Sequence, residues 1–280
     1  MEARRAGARL LRARGHDHSS YVLRVGRRMV ALPGNGDVWL RRFHPAPQSR
    51  SRLVCFPYAG GSASFYWPMS ASLSPAVEVL AVQYPGRQDR RADMPIDNIP
   101  ELADRIFEVL PLHVDRPLAF FGHSMGAVVA FEVARRLEQK ANTPLVMLFA
   151  SSWRAPSKPY SDAVHLRDDE GLVRELESLS GTDATLLADE ELLRMILPAV
   201  RSDYKAIETY AFLPGPALHC PISVFIGDAD PKTTVDEARA WGQHGQGGVE
   251  MHIFSGGHFY LIAHKATVMK KIAGYLEAYT

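Results

Sequence analysis

Leu118-Ala119-Phe120-Phe121-Gly122-His123-Ser124-Met125-Gly126-Ala127-Val128-Val129-Ala130-Phe131 contains the change of period that decides the fold. Its first four residues, after Pro117, are an apolar run of the length of a short buried strand. From Ala127 the apolar residues Ala127, Val128, Ala130, Phe131, Ala134 and Leu137 recur at helical spacing as far as Lys140. Between strand and helix stands Gly-x-Ser-x-Gly. A chain that turns so sharply brings backbone against backbone, and side chains at the two flanking positions would collide with it. The pattern is weak when met alone, but the strand before it and the helix after it are the setting in which a serine is lifted out as a nucleophile.

On either side of this stretch, short apolar runs alternate with helical segments, the signature of a mainly parallel sheet covered by helices. Strands are expected at Trp39 to Phe43 (antiparallel), Leu53 to Phe56, Val77 to Val82, Leu145 to Ala150, Ile222 to Ile226 and Val249 to Phe254. Helices are expected from Ile99 to Val109 and from about Ala263 to Tyr279. The alternation stops between roughly 160 and 215. There Leu172, Leu176 and Leu179, then Leu192, Leu193, Ile196, Val200, Tyr204 and Ile207, mark two consecutive amphipathic helices, with Pro198 expected to bend the second. The expected fold is α/β, of the α/β-hydrolase type, with a helical lid inserted at about 160–215.

A serine hydroxyl needs a neighbouring base, and the base needs a carboxylate to hold its tautomer. In this fold the order along the chain is serine, acid, histidine, each after a strand. Gly227-Asp228-Ala229-Asp230-Pro231 follows the strand ending at Ile226, and Gly256-Gly257-His258-Phe259 follows the one ending at Phe254. His258 is therefore the candidate base. Asp230 is preferred as the acid because it stands a few residues beyond the strand; Asp228, the competitor, would then be a turn residue bonding its own backbone. The oxyanion of the tetrahedral intermediate needs two backbone N–H donors. Met125, at the start of the helix, is one candidate; Ala59, with Gly60 next, is the other, in the loop Pro57-Tyr58-Ala59-Gly60-Gly61-Ser62.

Composition narrows the partners. The 280 residues carry a net charge of +1, 46% hydrophobic and 22% charged residues, which leaves no global field to recruit nucleic acid or an anionic membrane. No run of about eighteen apolar residues could span a bilayer. No metal-ligand cluster, phosphate loop or dinucleotide fingerprint is present, and no cofactor is expected. His16-Asp17-His18 resembles a metal tract only weakly. Cys55 and Cys220 sit in or beside apolar runs and read as buried free thiols of a cytoplasmic protein. Residues 1–28, rich in arginine (Arg4, Arg5, Arg9, Arg12, Arg14, Arg24, Arg27, Arg28), lack the apolar stretch of a secretory signal. They read as a disordered tail, or as preceding a true start at Met29, with residues 29–280 as the hydrolase domain.

Five segments together resemble the stand-alone type II thioesterases of modular polyketide and nonribosomal peptide synthases, in particular actinomycete members. They are Trp39-Leu40-Arg41-Arg42-Phe43-His44-Pro45, Cys55-Phe56-Pro57-Tyr58-Ala59-Gly60-Gly61-Ser62, Gln83-Tyr84-Pro85-Gly86-Arg87-Gln88-Asp89-Arg90, Phe121-Gly122-His123-Ser124-Met125-Gly126 and Gly256-Gly257-His258-Phe259. The resemblance implies release of acyl groups from the phosphopantetheine arm of an acyl or peptidyl carrier protein. It implies Ser124, Asp230 and His258 as the triad, and Ala59 and Met125 as the oxyanion donors. Tyr58 departs from the histidine of many members, and the arginine-rich tail has no counterpart. A monomer is expected. Arg87, Arg90 and Arg91 are the candidate contacts to an acidic carrier, against the reading that they pair with Asp89, Asp93 and other nearby acids. A carboxylesterase or acyltransferase using the same acyl-enzyme, and a catalytically silent binding protein, are the competing readings.

Overall fold

The computed structural model describes residues 10–12, 21–25, 28–32, 36–160, 162–179, 181 and 189–279. Strands β1 (Leu10–Arg12), β2 (Tyr21–Val25) and β3 (Arg28–Leu32) form a separate antiparallel sheet. His16-Asp17-His18 lies outside the described residues.

The main sheet has seven strands: β4 (Leu40–Arg41), β5 (Ser51–Phe56), β6 (Val77–Val82), β7 (Leu118–His123), β8 (Met147–Ser151), β9 (Ile222–Gly227) and β10 (Val249–Phe254), in the order β10-β9-β8-β7-β5-β6-β4. All pairings are parallel except β4 with β6, where Leu40 faces Val82. The expected strand at Trp39 to Phe43 is thus only two residues long, and a helical turn, Gly36–Trp39, precedes it.

β5 to β9 are buried at every position, so they read as continuous apolar runs rather than alternating ones, as strands covered on both faces do. Alternation survives in direction. Val54, Phe56, Leu80, Val82 and Phe120 point into one core layer with helices α2 (Ile99–Val109) and α3 (Met125–Ala141). Leu53, Cys55, Val79, Ala81, Ala119 and Phe121 point into the other, against α1 (Trp67–Leu73) and α7 (Lys265–Glu277). α2 begins where Asn98 accepts the Glu101 amide at 2.8 Å, an N-cap worth about 1 kcal/mol. The sequence gives little sign of α1, because seven residues are too few for helical spacing to repeat.

Between β8 and β9 the chain leaves the sheet. α4 (Asp169–Leu179) and α5 (Glu190–Glu208) follow one another there, and α5 runs through Pro198. They share a small core of their own: Val164, Leu172, Leu176, Leu197, Val200 and Tyr204. After β9 comes the short α6 (Val235–Arg239), started by a reciprocal capping box between Thr234 and Glu237. Because six strands run parallel, their carboxyl ends collect at one edge of the sheet, and the loops leaving them meet there.

Candidate active site

Ser124 follows β7, at the middle of the sheet, with φ 56° and ψ −126°, a conformation non-glycine residues seldom adopt. Its neighbours explain how the turn closes. A Cβ on Gly122 would lie 2.2 Å from the Gly126 carbonyl oxygen, and one on Gly126 would lie 2.1 Å from that of Phe56. Backbone cannot move aside as a side chain can, so both positions demand glycine. Met125 opens α3, and its N–H belongs to the unpaired, electropositive end of the helix.

His258 comes from the loop after β10 and Asp230 from the loop after β9. The two loops are drawn together at Gly227, where a Cβ would meet the carbonyl oxygens of Gly256 and Gly257 at 2.3 and 2.4 Å. His258 Nε2 lies 2.9 Å from Ser124 Oγ, and its Nδ1 lies 2.9 and 3.0 Å from the two carboxylate oxygens of Asp230. All three side chains are buried. A carboxylate beside Nδ1 keeps the proton there, which leaves Nε2 to accept from the serine hydroxyl. Asp230 also accepts the Lys232 amide at 2.9 Å, and Ser152 Oγ donates to the His258 carbonyl at 2.8 Å. Asp228 is exposed and turned away. It does not bond its own turn: its Oδ1 accepts the Gly256 amide, 28 residues away, and so braces the histidine loop.

The loop after β5 closes the opposite side. The Gly61 amide bonds the Tyr58 carbonyl at 2.9 Å, and Gly60, at φ +77°, takes the third place of this turn, where a positive φ favours glycine. The Gly60 amide donates to Asp203 Oδ2 at 2.7 Å.

A small chamber of about 20 Å³ lies over Ser124 and His258, walled by Tyr58, Ala59, Leu176, Leu179, Tyr204 and Phe259. A cavity of about 470 Å³ shares Tyr58, Ala59 and Leu176 with it and opens between α5 (Met195, Ile196) and the loop bearing Gln88 and Arg91. Burial pushes the Tyr58 phenol up to about 12, so it stays protonated at neutral pH. His123, between the glycine and the serine, is held well below the usual histidine range by burial and secondarily by His258, 5.3 Å away between ring centroids. It is a neutral neighbour, tied through Nδ1 to Ser151 Oγ at 2.9 Å.

The three candidate carrier contacts separate. Arg87 is buried and grips Asp203 with both terminal nitrogens, at 2.6 and 2.8 Å. Arg90 pairs with Asp93 at 2.8 Å, bonds the Gln83 carbonyl and lies over the Trp39 ring, 4.3 Å from its centroid. Arg91 is exposed at the cavity mouth. Sequence reasoning missed Asp203 altogether. Nothing near it in the chain marks it, and its partner is 116 residues away.

Among the described residues no group of three or more His, Cys, Asp or Glu is placed to hold a metal ion, and no helix is long and apolar enough to cross a membrane. Cys55 and Cys220 are free and buried.

The thioesterase domain family model matches residues 51–276. A probable cadicidin biosynthesis thioesterase of Streptomyces griseus is 52% identical over 236 residues, 84% of this chain; the chain spans 65% of that relative. Thioesterase PikA5 of Streptomyces venezuelae is 50% identical over 236 residues, 83% of this chain and 84% of the relative. Among solved structures, the type II thioesterase BorB from the borrelidin biosynthetic cluster superposes with a TM-score of 0.81 at 51% identity, covering 86% of this chain and 98% of that one. An enol-lactonase from Burkholderia xenovorans, 18% identical with a TM-score of 0.67, shares the fold.

Proposed function

The chain belongs to the thioesterase domain family, and from that premise we propose that it is a type II thioesterase clearing acyl groups from the phosphopantetheine arm of an acyl or peptidyl carrier protein in polyketide or nonribosomal peptide biosynthesis. The observation that carries the chemistry is the continuous contact from Ser124 Oγ through His258 to both oxygens of Asp230. Ser124 Oγ attacks the thioester carbonyl carbon while His258 Nε2 takes its proton. The oxyanion is received by the Met125 N–H and the Ala59 N–H. Gly60, the other candidate, is the weaker choice because its amide is already given to Asp203. The carbon–sulfur bond then breaks, His258 returns the proton to the leaving pantetheine sulfur, and the acyl group stays on Ser124. Water, deprotonated by His258 in its turn, attacks the acyl-enzyme and frees the acid. Asp230 keeps the imidazole oriented and stabilises its charged form throughout.

The cavity of about 470 Å³, walled on one side by the two lid helices, is where the arm would enter. Of the arginines, Arg91 is the one offered to the carrier; Arg87 and Arg90 serve the fold. The same reading has the enzyme working as a monomer in the cytoplasm.

Two assays test this. Wild type should release acyl groups from carrier-bound thioesters in preference to a p-nitrophenyl ester, and Ser124→Ala should lose at least about three orders of magnitude in turnover. Near-normal turnover by a folded Ser124→Ala protein would sink the serine mechanism, and activity confined to the ester would make the protein a carboxylesterase. In the same assays Arg91→Ala should raise KM for the carrier substrate but not for a small pantetheine thioester, with the deficit shrinking at high salt.

A further inference from the structure

The amide after Ala59 is held from the lid rather than from the sheet. Asp203 projects from α5 and is 1% exposed. Three donors reach its carboxylate: the Gly60 N–H at 2.7 Å and the two terminal nitrogens of Arg87 at 2.6 and 2.8 Å. Arg87 in turn donates to the Gly61 carbonyl at 3.0 Å and the Pro85 carbonyl at 3.2 Å. The first and third peptide groups after Ala59, through the Gly60 N–H and the Gly61 carbonyl, are thus fixed by one buried ion pair, and Val200, one helical turn before Asp203 on α5, lies where a Cβ on Gly60 would touch it at 2.9 Å.

A buried ion pair is a poor device for stability, because an apolar pair of equal volume does as well without the cost of desolvation. What it gives is orientation, since a two-pronged guanidinium–carboxylate bond allows one geometry. We propose that Asp203 is a positioning residue for acyl transfer, holding from the lid the loop whose Ala59 N–H receives the oxyanion. This rests on the assignment of Ser124 as nucleophile and Ala59 as donor given above. Asp203 touches neither substrate nor the reacting atoms; it acts through the loop. A consequence is that the oxyanion loop is braced only while α5 lies over it, so that displacing the helix loosens the hole.

The test compares wild type with Asp203→Asn and Arg87→Lys on an acyl N-acetylcysteamine thioester. Binding of an alkyl boronic acid is the second measurement, because its tetrahedral adduct on serine puts an oxygen where the oxyanion sits. Asp203→Asn should lower kcat about 10- to 100-fold, a part of what a lost oxyanion donor costs, leave KM within about twofold, and weaken boronate binding by a similar factor to kcat. A fluorophosphonate should still label Ser124 to full stoichiometry, which separates mispositioning from unfolding. Arg87→Lys keeps the charge but not the two-pronged bond, and should lower kcat about 3- to 10-fold in the same direction. Unchanged kcat and boronate affinity in a labelled Asp203→Asn protein overturns the proposal, as does an effect confined to KM. If Asp203→Asn fails to label, Arg87→Lys decides, and a normal kcat there overturns it. Wild type that neither binds the boronate nor cleaves the thioester would instead refute the functional assignment on which the proposal stands.

Discussion

The turns at the carboxyl ends of the strands and the helical pair that covers them are held by different forces. Around Ser124 and His258 the fit is backbone against backbone: Gly122 against Gly126, Gly126 against Phe56 and Pro57, Gly227 against Gly256 and Gly257. The lid has a core of six buried apolar residues, on which Ala59 rests, and buried ion pairs join it to the loops beneath. Asp203 ties α5 to the loop after β5. Glu175, buried on α4, pairs with Lys232, two residues beyond Asp230, and with Arg167 at 3.0 Å. Steric contact of this kind has no alternative arrangement, whereas an ion pair can be exchanged for water when the partners separate. The first suits Ser124 and His258, which keep one place throughout, the second a cover that opens over a chamber of about 20 Å³ and braces the loop after β5 when it closes.

The largest effect should come from the backbone region. Gly126→Ala puts a methyl group 2.1 and 2.6 Å from two carbonyl oxygens that cannot retreat. We expect a loss of about 3 kcal/mol in unfolding free energy, by chemical denaturation, together with loss of fluorophosphonate labelling. A stable and active Gly126→Ala protein would mean that the turn is less tightly built than its contacts indicate.

Glu175→Gln should have a smaller and more local effect. It leaves Lys232 with Asp162 as its remaining carboxylate partner and takes the charge from the Arg167 contact, so α4 should loosen while the sheet keeps its stability. Hydrogen exchange in 169–179 should quicken by about 10-fold, roughly 1.4 kcal/mol of local opening, with the global unfolding midpoint nearly unchanged. Exchange that rises equally in β7 and α3 would show lid and sheet to be one cooperative unit, and the contrast would fall.

Ile196, which lines the cavity, should give the smallest effect. Ile196→Trp should shift preference towards shorter acyl chains by several-fold, about 1 kcal/mol of discrimination, with turnover on the best substrate little altered. Equal slowing on every chain length would mark Ile196 as ordinary packing. Leu192, the other lid position that the helical spacing puts on an apolar face, is exposed and should matter less.

Residue order along the chain was enough to identify β5 to β10, the tight turn at Ser124, and the loops that carry Asp230 and His258. Each rests on a local pattern: an apolar run, a glycine beside a strand end, a change of period. The strand Val77–Val82 and the helix Ile99–Val109 have the bounds their spacing predicts. Elements without room for a period to repeat were illegible, α1 among them. So was the fate of the arginines after β6. Arg90 pairs with Asp93, three residues on, as the charge pattern allows, while Arg87 finds an acid that no reading of its neighbours suggests.

By itself the sequence determined which atoms could do the chemistry, because a strained serine turn, a carboxylate and an imidazole after successive strands are written in contiguous residues. Tertiary structure alone decided how those atoms are held. Asp230 rather than Asp228 faces His258, since the strand ends bring one carboxylate inward and leave the other to brace Gly256. Gly60's amide is taken by a lid residue 143 positions away, which favours Ala59 as the donor. Hydrogen bonds and buried charges need close contact but no nearness along the chain, so their partners are settled only when the helices between β8 and β9 pack over the sheet.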